Sequence, residues 1–210
     1  MDNSHVFILE SVGPEQILDG VKEHKALTAF FRAAGIPYDC IKVASVKTFY
    51  EGIERIKVLI REIKKDIYKP IIIHISCHGK KESLILTNGE TITWDDFRKV
   101  IKDISNTLDE GYDNSRFPCS LVCMSSCYGI SAIEIDNEME KSPAAIIIGP
   151  DKEIDWDQSM IAYLNFYNQY LVFEKKGEEA IKFMNTSIND SCYAVYRTKD
   201  FEKAMAVKSS

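Results

Sequence analysis

Residues 70–76, PIIIHIS, form a run of β-branched residues without the polar alternation of a strand that shows one face to water. A continuous apolar strand needs cover on both faces, which points to a sheet with helices packed on each side. Similar runs recur at HVFILESV (5–12), CSLVCMSSC (119–127) and AAIIIGP (144–150), with further strand patterns at YDCIKVASV (38–46) and CYAVYRT (192–198). Helical patterns lie between them. Residues 14–33 form one, closed by Gly35 and Pro37, and 47–66 another, with Phe49, Ile53, Ile56, Leu59, Ile60 and Ile63 on one stripe. Thr93 is placed to cap a helix through WDDFRKVIKDISNTL, and two more helices fit 157–173 and 177–188. Asn88-Gly89 between short apolar runs marks a hairpin over 83–93. Strands alternating with helices predict an α/β sandwich around a mostly parallel sheet of about six strands. With no repeat and no Pro/Gly/Ser-rich linker, residues 1–210 are expected to form a single domain.

Composition excludes several function classes. A net charge of −6 with scattered lysines argues against binding nucleic acid, whose phosphate backbone selects basic surfaces. No segment approaches the ~20 apolar residues that span a bilayer, and the N-terminus lacks the basic flank and cleavage site of a secretory signal. The six cysteines are therefore expected as reduced thiols in the cytoplasm. SVGPEQ after the first strand offers a single glycine, which argues against a nucleotide or flavin site.

In parallel sheets, chemistry gathers at the carboxyl ends of the strands. The third strand ends at His78-Gly79 and the fourth at Cys127-Tyr128-Gly129. A cysteine attacks as thiolate, and a histidine brought beside it by the fold can take its proton. Neighbouring strands lie about 4.8 Å apart, so the two ends can supply such a pair. The adjoining glycines would leave backbone N–H groups free to face an oxyanion.

An apolar strand ending in His-Gly, a hairpin, a helix and a second apolar strand ending in Ser-x-Cys resembles the caspase-like cysteine peptidases, which include caspases, metacaspases, separase and gingipains. The pattern is most similar to the bacterial CHAT branch: HISCHG and MSSC resemble its H-x-x-C-H-G and L-S-x-C, and LILTNGETITWDDF resembles the segment between them. IIIGPDKEIDWDQSMIAYLNFYNQYL with the later GEEAI is similar to its strand, Asp-bearing loop and helices. The resemblance runs from about residue 70 to 183; before it, only the order of strands and helices agrees.

The resemblance implies a caspase-hemoglobinase-like three-layer αβα sandwich and a cysteine endopeptidase acting on a protein or peptide substrate. His78 would be the general base or ion-pair partner, Cys127 the nucleophile, and the N–H groups of Gly79 and Cys127 the oxyanion hole. Asp155, Trp156 and Asp157 would shape the pocket for the residue before the cleaved bond, and their acidity would favour Lys or Arg there. Ser125 belongs to that pocket too; metacaspases carry Asp at this position, whereas Ser agrees with the CHAT pattern. The resemblance also implies activation by a regulatory partner subunit or ligand, in bacterial (including antiviral) defence or regulated toxicity. No cofactor is implied. The alternative is a catalytically silent interaction or scaffold module of the same fold.

Other residues have simpler readings. His74 and His78 on a strand would be about 13 Å apart, too far to share a metal ion, so no metal site is expected and His74 reads as a hydrogen-bonded core histidine. Cys77 should point to the strand face opposite His78. Cys40, Cys119, Cys123 and Cys192 read as small buried hydrophobes. The aromatic stripe Tyr163, Phe166, Tyr167 and Tyr170 suits a helix packed on the sheet, and the segments DEGYDNSRFP and IEIDNEMEKSP read as exposed loops.

Overall fold

The computed structural model describes residues 4–13, 23–63, 71–109, 120–133 and 146–197. The first half holds β1 (His5–Ser11), α1 (Glu23–Ala34), β2 (Tyr38–Lys42), α2 (Val46–Ile63) and β3 (Ile71–Gly79). After β3 come the short strands β4 (Ser83–Ile85) and β5 (Thr91–Thr93), then α3 (Trp94–Asp109) and β6 (Ser120–Ser125). A 3-10 turn (Gly129–Ile133) leads toward β7 (Ile146–Pro150), α4 (Trp156–Tyr167), one π turn (Asn168–Val172), α5 (Gly177–Ser187) and β8 (Tyr193–Arg197).

The main sheet runs β2-β1-β3-β6-β7-β8, parallel except for β8, which lies antiparallel to β7. The β4–β5 hairpin extends from the end of β3, with Gly89 at φ 86° in its turn. Thr93 caps α3, its Oγ1 accepting the Asp96 N–H at 3.2 Å.

Alternation along the strands fills both faces. Ile71, Ile73 and Ile75 point with Phe7, Val122 and Ile147 toward α2 and α3. Ile72 points with Val6, Ile8, Leu121 and Ile148 toward α1, α4 and α5. This two-sided burial is why the strands read as unbroken apolar runs, and the architecture is the predicted three-layer α/β sandwich. Tyr163, Phe166 and Tyr167 are fully buried on α4, as the aromatic stripe predicts.

The end of the fourth strand differs from expectation. The fourth apolar run leaves the ladder at Ser125, so Cys127 stands in a turn just beyond the strand. The helix predicted over 14–33 is seen as α1, while 14–22 lie outside the described residues. Cys119 and most of the two polar loops, 110–118 and 134–143, lie outside them as well. Among the described residues no helix is long and apolar enough to cross a membrane.

Candidate active site

Register brings the two motifs together. Ser76 on β3 pairs with Ser125 on β6, and His78 and Cys127 each follow their member of that pair by two residues. Both side chains line one cavity of about 260 Å³. The approach is tightest at Gly79, where a Cβ would stand 2.0 Å from the Cys127 carbonyl oxygen, so only glycine fits. The chain turns sharply after the cysteine. Tyr128 takes φ 56°, a left-handed conformation that costs a non-glycine residue about 1 kcal/mol or more. The Tyr128 N–H is tied to the Lys152 carbonyl at 3.1 Å, which anchors this turn to the loop after β7.

Cys127 is half-buried, and its sulfur is held by that loop. Sγ accepts the Ile154 N–H at 3.4 Å and lies 3.5 Å from the Ile154 carbonyl oxygen. The His78 ring, also half-buried, packs edge-on against Trp156 with centroids 5.5 Å apart. Asp155 and Trp156 line the cavity with Ser125. Asp157 does not: one residue further round the first turn of α4, it is exposed and its Oδ1 accepts the Gln158 N–H. Cys77 packs in the core on the α2/α3 side, opposite His74 and Ser76, and reaches the cavity only at the strand end.

The remaining described thiols are chemically quiet. Burial pushes the Cys40 and Cys192 thiols up to about 11 and Cys123 to about 12, and raises Cys77 further still. His74 is fully buried, its Nδ1 2.9 Å from the Tyr167 hydroxyl. No cluster of His, Cys, Asp and Glu that could hold a metal ion occurs among the described residues.

Two site residues escaped the sequence reading. Ser159, buried on α4, lines the cavity, and its Oγ lies 2.7 Å from Ser125 Oγ. Glu23, buried on α1, accepts hydrogen bonds from Ser125 Oγ at 2.8 Å and Ser76 Oγ at 2.6 Å. A signal was available for both. Ser159 shares a helical stripe with Ala162, Tyr163 and Phe166, and Glu23 shares one with Leu27 and Phe31. A polar residue on an apolar stripe marks a buried partner network.

The fold is caspase-like. Among solved structures the chain is similar to the crystal structure of the Drosophila initiator caspase Dronc, with a TM-score of 0.59 and 8% sequence identity. That likeness covers 93% of this chain and 80% of the Dronc chain. No protein-family model matches the chain, and no curated protein sequence does. At this identity the likeness establishes architecture, and function must be argued from the site.

Proposed function

We propose that the protein is a cysteine endopeptidase of the CHAT type, cleaving protein substrates through Cys127 and His78. One observation carries this reading: a half-buried thiol and an imidazole line the same cavity at the carboxyl ends of adjacent parallel strands. The caspase-like fold supports it.

In the proposed reaction the His78 imidazole takes the proton from Cys127 Sγ, and the thiolate adds to the peptide carbonyl. A C–S bond forms, and the carbonyl oxygen becomes an oxyanion facing the N–H groups of Gly79 and Cys127. Collapse breaks the C–N bond; the imidazolium protonates the departing amine and a thioester remains. Water, giving a proton to His78, adds to the thioester. The C–S bond then breaks, releasing the acid, and the proton returns to sulfur.

The hold of Ile154 on the sulfur supports a controlled enzyme, since attack requires the loop after β7 to release Sγ. A regulatory partner subunit or ligand that moves this loop would set the activity. The CHAT resemblance extends the proposal to defence or regulated toxicity.

Proteolysis by the wild-type protein with its operon partners should vanish in Cys127→Ala and fall by roughly 10²–10⁴ in His78→Ala, with folding retained. Equal cleavage by wild type and Cys127→Ala refutes the proposal. Thiol mapping separates it from a silent scaffold, in which Cys127 would react no faster than a surface cysteine.

A further inference from the structure

The first turn of α4 is held where it meets His78. Trp156 is the first residue of that helix, and a helical side chain leans back toward the helix start. Here that direction leads into the cavity that His78 and Cys127 line. The indole meets the His78 ring at 5.5 Å between centroids, with the two planes 87° apart. Such an edge-on contact is a favoured aromatic geometry. Both rings are half-buried, so each keeps room to move unless something restrains it.

The turn that carries Trp156 is restrained. Ser159 follows Trp156 by three residues and stands on the same helix face. It is 3% exposed, and its Oγ lies 2.7 Å from Ser125 Oγ and accepts the Tyr193 hydroxyl at 2.9 Å. Ser125 Oγ donates to Glu23 at 2.8 Å, and Ser76 Oγ donates to the same carboxylate at 2.6 Å. Ser76 and Ser125 are the paired residues that precede His78 and Cys127 by two. One buried hydrogen-bonded set therefore fixes three things against one another: the strand end with the imidazole, the strand end with the thiol, and the helix turn with the indole.

An imidazole at a strand end has two side-chain torsions, and only some of their settings aim a ring nitrogen at the sulfur. A rigid ring packed against it removes others. Resting on the peptidase reading above, we propose that Trp156 is a positioning residue for His78, holding the imidazole in the orientation from which it takes the Cys127 proton. This role is separate from shaping a substrate pocket, since it operates with no substrate side chain present. Trp156 acts through His78 alone, and the Ser125–Ser159 bond keeps it in place.

The test is the rate of Cys127 modification by iodoacetamide at pH 7 on the full chain, mapped by mass spectrometry. Iodoacetamide has no side chain to fill a pocket, so the rate reads the thiol and imidazole. Trp156→Ala should slow the reaction roughly three- to tenfold, and Trp156→Phe, which keeps an aromatic ring, should restore it to within about twofold of wild type. In a His78→Ala background, Trp156→Ala should change nothing further, a non-additivity that loss of packing alone does not produce. An unchanged or faster rate in Trp156→Ala, no recovery in Trp156→Phe, or the same slowing with and without His78 overturns the proposal. Trp156→Leu keeps apolar bulk without a ring; it is expected to match Trp156→Ala and decides the matter if that variant does not fold. The two readings fail separately. A slow His78→Ala beside a wild-type rate in Trp156→Ala removes the positioning role and leaves the peptidase standing, whereas a wild-type rate in His78→Ala overturns both.

Discussion

A methyl group at residue 79 would meet the Cys127 carbonyl oxygen at 2.0 Å, and the obstacle is backbone that cannot swing aside. Gly79→Ala should therefore lower Tm by several degrees and slow modification of Cys127. Gly177→Ala, with nothing within 4 Å of the added carbon, should change neither. Differential scanning fluorimetry with timed alkylation checks both outcomes. The cysteines give a second expectation. With Cys40 and Cys192 raised to about 11 and Cys123 to about 12, limited iodoacetamide at pH 7.5 should label Cys127 well before these three. Their labelling should rise only as the pH approaches those values; early labelling of Cys123 would contradict the buried packing. His78 and Cys127 were legible in the sequence because glycine and a strand end accompany each. Asp157 stands exposed outside the cavity lining, since acidity alone does not say which way the first turn of a helix points.

Helix α1 is fixed to the sheet by more than apolar packing. Leu27 and Phe31 are fully buried, and Glu23 on the same stripe ties the helix to Ser76 and Ser125. On the opposite face, Ile56 of α2 is fully buried whereas Val58, two residues on, is 50% exposed. Ile56→Ala should cost about 2–4 kcal/mol and Val58→Ala under about 0.5 kcal/mol, read from urea unfolding midpoints. Comparable losses at both positions would mean that α2 packs on a different face. The helices on both sides were legible from their 3.6-residue stripes, and the hairpin from Asn88-Gly89. The end of β6 was not, because Ser126 and Cys127 continue the run in composition while the Tyr128 turn takes them off the ladder.

At the scale of the molecule, a mostly parallel sheet lies between helices, and its buried thiols make its stability depend on pH. Unfolded thiols ionise near about 8.5, whereas the folded ones stay protonated to about 11 or 12. The unfolded chain therefore loses its protons first. The stability held by these neutral thiols is intact below pH about 8.5 and is lost as pH rises through the window up to 12. Urea midpoints should fall between pH 7.5 and 10.5; a constant or rising midpoint would contradict the burial. The layered architecture could be read from apolar runs alone, because two-sided burial leaves no alternation. The network through Glu23 could not, since it joins residues 23, 76, 125 and 159 across four elements. What the account needs above all is that His78 acts on Cys127. The rate of iodoacetamide modification of Cys127 at pH 7, followed by mass spectrometry in wild type and His78→Ala, measures it. The predicted result is at least a tenfold slower reaction in His78→Ala with the fold unchanged, and equal rates in the two proteins would contradict it.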